Sequence, residues 1–192
     1  MKEENIKSAF EIAMEKISDL PELTREEIEE QKKKEFEPVG DAVGKKYLSG
    51  TILDGELSLE LARHSGSEQR IVRTACIARL CREIGLENDR EIPLKALKGL
   101  KLLASEKGSA VEGAVNGFRE IFNEFVEQKE GKRRQFEVLA MEKLSRLGIS
   151  GSAVRPNLSE DSDWKEQLRK LRNHYEPRLA DIRRRLRQEL QQ

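Results

Sequence analysis

The stretch SAVEGAVNGFREIFNEFVEQKEGKRRQFEVLAMEKLSRL, residues 109–147, decides the fold class. Val111, Ala114, Val115, Phe118, Ile121, Phe122, Phe125 and Val126 recur at steps of three and four, the spacing of one helix face. Phe136, Leu139, Ala140, Lys143, Leu144 and Leu147 form a second such face after a gap. In that gap EQKEGKRRQ, residues 127–135, offers no apolar side chain, and Gly131 at its centre lowers helix propensity. As one helix the stretch extends about 57 Å at 1.5 Å per residue, whereas a compact chain of 192 residues has a radius of gyration of about 16 Å. The helix therefore either passes through solvent or bends near Gly131.

The ends of this stretch carry their own signals. Ser109 followed by Glu112 reads as a capping box, and Gly148 suits the left-handed residue that closes a helix. The tetrapeptide GSAV occurs at residues 108–111 and again at 151–154. The first copy leads into a helix and the second into Arg155-Pro156, so neither has the strand-to-helix setting of a phosphate-binding loop.

Downstream, Trp164, Leu168, Leu171, Tyr175, Leu179, Ile182, Leu186 and Leu190 recur at steps of four or three and repeat best at 11 residues. This is the expected helix-docking stripe, with the helix of residues 109–147 as its partner in the same or a second chain. Pro177 predicts a kink near His174. Opposite the stripe stand Arg169, Arg172, Arg183, Arg184, Arg185 and Arg187. Lys132, Arg133 and Arg134, together with Arg183, Arg184, Arg185 and Arg187, are the candidate anion-contacting residues.

Upstream, Ile6, Phe10, Ala13, Met14 and Ile17 predict an amphipathic helix over residues 3–18. Thr24 and Glu27 predict the start of the next by a capping box, with Leu23 and Ile28 in the staple positions. That helix should break or kink at Pro38, since an interior proline costs about 3 kcal/mol. Further helical spacing covers about residues 39–49, 55–63, 68–84 and 90–106, with Gly50 and Gly85 as terminators. No convincing strand pattern appears. The fold class is all-α, a helical bundle core with long amphipathic helices that allow coiled-coil-like pairing. The expected divisions are N-terminal helices in 1–37, a core in 38–126, a continuation of the long helix in 127–147, a linker in 148–161 and a C-terminal amphipathic helix in 162–192.

Composition narrows the function. Charged residues make up 38% of the chain and aromatics 5%, against about 25% charged in typical soluble domains, which favours long solvated helices over a thick globule. Net charge is +0, but residues 1–37 hold 12 acidic against 7 basic residues (−5) and residues 162–192 hold 5 against 9 (+4). Opposed ends of this kind attract, within one chain or between copies. No apolar run is long enough for a transmembrane helix, and the acid-rich start is unlike a secretion signal, so membrane insertion is not expected and the cytoplasm is. Cys76 and Cys81 lie five apart, which disfavours a disulfide along one helix.

His64 and His174 stand far apart with no Cys or acid at ligand spacing, and no zinc, EF-hand or HExxH pattern occurs. No catalytic, cofactor-binding or metal-binding residues are assigned, and no cofactor is expected. The sequence reading is a non-enzymatic scaffold or assembly protein acting through a protein partner or self-association. The alternative is nucleic-acid binding by the basic faces, which would weaken with salt.

Overall fold

A computed structural model of the chain describes residues 8, 24–86, 90–104, 108–151 and 154–191. The expected helix over residues 3–18 and the staple residue Leu23 lie outside the described residues. Among the described residues the architecture is all-α, with no strand. In chain order the helices are α1 (Arg25–Ser49), α2 (Asp54–Ala62), α3 (Gly66–Arg82), α4 (Glu91–Leu103), α5 (Gly108–Arg146) and α6 (Ser162–Gln191), with a 3-10 turn at Leu158–Glu160 before the last.

Helix α1 starts where its capping box places it. The Glu27 amide donates to Thr24 Oγ1 at 3.2 Å, and the Thr24 amide donates to Glu27 Oε2 at 2.8 Å. Hydrogen bonds to the Glu27 carboxylate from the Thr24 amide and then from the Thr24 hydroxyl, at 2.9 Å, hold that carboxyl below its ordinary pKa. At the other end Gly50 adopts φ 81°, and the Thr51 amide reaches back to the Lys46 carbonyl at 2.9 Å. The break allowed at Pro38 does not occur: α1 continues as one helical element through it. The packing beyond the proline holds it. Gly40, Val43, Gly44 and Tyr47 are buried, and the first three bring α1 onto α3 or into the core around it.

The two backbones approach closely because two glycines face α3. A Cβ built on Gly40 would meet the Val72 carbonyl oxygen at 2.2 Å, and one on Gly44 would meet Arg79 Cγ at 2.8 Å. Residue numbers rise together along both helices, so α1 and α3 run parallel, and α2 is the crossover between them. Lys32 Nζ also donates to Ser67 Oγ at 3.2 Å, which extends the same pairing toward the start of both helices.

Tyr47 ties α1 to α2 and α4. Its hydroxyl donates to Asp54 Oδ1 at 2.9 Å, Asp54 pairs with Lys98 Nζ at 2.5 Å, and Lys95 lies 5.7 Å above the ring. The core then fills with Val72, Cys76, Ile77, Leu80, Cys81 and Ile84 from α3 and its end and Ala96, Leu97 and Leu100 from α4. From α5 come Val111, Phe118, Ile121 and Phe125, and from α6 Leu171, Tyr175, Leu179, Leu186 and Leu190.

Helix α5 is one helical element across residues 127–135, so no second segment begins near Gly131. Ser109 lies inside α5 and is not its cap. Glu112 turns to Lys101 on α4 at 2.7 Å, a tertiary partner in place of the expected local one. Gly148 does close α5, with φ 79° and the Ile149 amide donating to the Leu144 carbonyl at 3.0 Å. Helix α6 also runs through its proline, Pro177, as one element. Its start is capped by Asp161, whose Oδ1 accepts from the Trp164 amide at 2.8 Å.

Candidate functional site: an antiparallel helical arm and a basic junction

Helices α5 and α6 form an antiparallel hairpin. Gly117 faces Ile182, whose Cδ1 would lie 3.3 Å from a Cβ there. Further along, Phe125 meets Tyr175 edge to face at 6.1 Å, and Phe136 meets Trp164 at 5.6 Å. As the α5 number rises, the α6 number falls. Arg178 crosses between the helices as a forked pair, its two Nη atoms 2.5 and 3.2 Å from the Glu124 carboxylate oxygens. Both partners are about half exposed, 47% and 48%, so the bridge sets register more than stability. The same hydrogen bonds hold the Glu124 carboxyl below its usual range.

The stripe on α6 supplies the inner face of this hairpin. Trp164, Leu171, Tyr175, Leu179 and Leu186 are buried, while Leu168 and Ile182 are partly buried against the core. The Tyr175 hydroxyl is buried with no hydrogen-bond partner. Burial is also the main cause that raises its pKa.

The two ends of the hairpin differ. Near its open end α5 and α6 join the core; toward the connection Leu158 and Trp164 are buried outside the main core cluster. There Val138, Leu139, Leu147 and Ile149 are 58, 53, 74 and 49% exposed. They lie on the part of the arm toward the connection, called the tip below. Arg133 and Arg134 on α5, and Glu160 and Asp163 at the head of α6, are exposed as well.

The candidate anion-contacting residues are dispersed. Lys132 is partly buried, Arg133 Nε lies 3.0 Å from Glu137 within α5, and Arg134 is exposed. Arg184 and Arg185 both turn back to Asp181 on their own helix. Arg183 points inward: it pairs with Glu176, and its Nε donates to the Leu179 carbonyl at 3.3 Å. Its side chain is only 19% exposed, so it does not belong to an outer basic face. Arg187 acts electrostatically on Cys81 in the core.

A concave junction that sequence spacing did not indicate lies where the end of α3 meets the middle of α6. It has a volume of about 360 Å³ and is lined by Arg82, Glu83, Arg169, Arg172, Glu176 and Arg183, with Gly85 and Leu86 beneath. Its members lie some ninety residues apart, so no local motif marks it. Arg172 Nε is buried there without a hydrogen-bond partner.

Both cysteines are free and buried. Burial pushes the Cys76 thiol up to about 12, with the negative charge of Asp41 adding to the effect. Burial pushes Cys81 to about 11, partly offset by Arg187 and Arg183. In the unfolded chain a thiol ionises near about 8.5. The folded pKa values are raised, so this contribution to stability is fully present below about pH 8.5 and is lost as pH rises toward the folded values. Urea midpoints are therefore expected to fall between about pH 9 and pH 11, and an aromatic disulfide reagent at about pH 8 should leave both thiols unreacted until the chain unfolds. Rapid reaction of the native chain would contradict their burial.

Among the described residues no group of three His, Cys, Asp or Glu is placed to hold a metal ion, and no helix is long and apolar enough to cross a membrane. Comparison with protein-family models, with curated proteins and with solved structures finds no match to this chain. The chain is thus defined by its architecture: an all-α bundle carrying an antiparallel two-helix arm.

Proposed function

We propose that this is a non-enzymatic scaffold or assembly protein of the cytoplasm that associates with a second copy of itself through the tip of the α5–α6 arm. The observation that carries this reading is the exposure of Val138, Leu139, Leu147 and Ile149, all on the α5 side of the hairpin toward its connection. Exposed apolar clusters rimmed by charge are a common form of protein interaction surface.

Charge favours a second copy as the occupant. The arm carries Lys132, Arg133 and Arg134 on α5 and Glu160 and Asp163 at the head of α6, so two arms related by a twofold axis can set base against acid. The chain as a whole has net charge +0, so no long-range repulsion opposes association of like copies. The cytoplasmic assignment rests on two free, buried thiols.

Sedimentation equilibrium over a wide range of loading concentrations tests this. The wild-type chain is expected to show a monomer–dimer equilibrium, and Val138→Glu with Leu139→Glu should shift the dissociation constant upward at least tenfold while leaving far-ultraviolet circular dichroism unchanged. A wild-type monomer at every concentration rejects the second copy. Saturable, salt-sensitive binding of duplex DNA or single-stranded RNA that depends on Lys132, Arg133 and Arg134 would favour the nucleic-acid reading instead.

A further inference from the structure

We infer that the junction between the end of α3 and the middle of α6 is a binding site for a small phosphorylated ligand. The site stands apart from the arm tip, and no residue that lines it belongs to the tip. Four guanidinium groups line it, from Arg82, Arg169, Arg172 and Arg183, against two carboxylates, Glu83 and Glu176, an excess of two positive charges.

Both carboxylates are already engaged. Glu83 holds Arg79 at 2.7 Å, with both side chains about four-fifths buried, and Glu176 holds Arg183. Arg82 has only Asp41 at 3.8 Å, and Asp41 is itself closed on Lys45 at 2.8 Å. Arg172 places a buried Nε at the junction with no acceptor. The C-terminal end of α3 carries partial negative charge and gathers these cations in the apo chain. It cannot satisfy them all: the Nε of Arg172, like that of Arg79, is buried without an acceptor.

The chemistry of the remaining donors selects the ligand class. Guanidinium groups present planar forks that match the oxygens of phosphate, and several around one concavity suit a group with more than one negative charge. Asn173 adds an amide at the edge, and Leu86, 7% exposed, gives the floor an apolar surface. A volume of about 360 Å³ is at the small end of ligand pockets, suited to a small molecule and not to a segment of duplex.

Isothermal titration calorimetry with inorganic pyrophosphate, at constant ionic strength, tests the site in the full chain. The expected result is saturable binding that weakens at least tenfold in Arg172→Gln and in Arg169→Gln, and changes less than twofold in Arg184→Gln, which lies outside the junction. Arg169 is exposed, so its variant keeps the test valid if Arg172→Gln perturbs folding, which circular dichroism would report. Absence of saturable pyrophosphate binding, or binding equal in all three variants, overturns the inference. Arg172-dependent binding of a single-stranded RNA oligomer without binding of pyrophosphate also overturns it, since the phosphates recognised would then be those of a polymer.

Discussion

Gly40→Ala is expected to destabilise the chain by about 1–3 kcal/mol, the range for forcing extra volume into a packed interface. Helix propensity alone predicts the opposite, since alanine is favoured over glycine in a helix by about 0.5–1 kcal/mol. Sterics decide the sign. The new Cβ would lie 2.2 Å from the Val72 carbonyl oxygen and 2.7 Å from Ala75 Cβ. Neither is the end of a flexible side chain, so α1 must move off α3. Gly113 and Gly131 supply the contrast, because nothing lies within 4 Å of a Cβ at either. Gly113→Ala and Gly131→Ala should each stabilise by up to about 1 kcal/mol. Urea midpoints at unchanged slope measure all three. A Gly40→Ala chain as stable as wild type would contradict the close α1–α3 contact.

Leu179→Ala should cost about 2–5 kcal/mol, the range for a large side chain removed from a core. Leu179 is 1% exposed and packs where α6 meets the core. Ile182→Ala, one turn on and only partly buried, should cost clearly less. Arg184→Ala should change stability by less than about 0.5 kcal/mol, because its side chain is 69% exposed and its ion pair is local. Tyr175→Phe gives a further sign test. The lost hydroxyl is buried and unpartnered, so its removal should be neutral or stabilising. If Leu179→Ala melts like wild type, α6 does not dock on the core through this face.

Much of the fold was legible because apolar spacing and caps are local properties. Thr24 with Glu27, the αL residues Gly50 and Gly148, and the stripe from Trp164 to Leu190 each act within a few turns of chain. The break allowed at Pro38 was misjudged for a physical reason. Pro38 and Pro177 carry a cost of about 3 kcal/mol in an isolated helix, but buried residues soon after each, Val43 and Tyr47 in α1, Leu179 and Leu186 in α6, hold the helix against the core. Local propensity does not contain that tertiary term. Ser109 was misread for the same reason, because Glu112 found Lys101 across a chain connection.

The close α1–α3 crossing left a trace that was not used. Gly40 and Gly44 stand four apart, on one face of α1, and small residues at that spacing let two helices approach. The basic junction left no comparable trace. Its arginines come from the end of α3 and from the middle of α6, Arg169 to Arg183, and their convergence depends on how those helices cross. The inward turn of Arg183 was hidden too, because sequence spacing set it on the face opposite the stripe and gave no sign of Glu176 as its partner.

The arm-to-arm contact is read most directly by a spin label placed on the tip. Ser145 is exposed there, and the native thiols Cys76 and Cys81 are buried, so a label on Ser145→Cys reports the tip alone. Double electron–electron resonance on this variant, at concentrations where the chain is dimeric, is expected to give a narrow intermolecular distance distribution that disappears when Val138→Glu and Leu139→Glu are added. A pure background decay in the labelled chain at every concentration would contradict the contact.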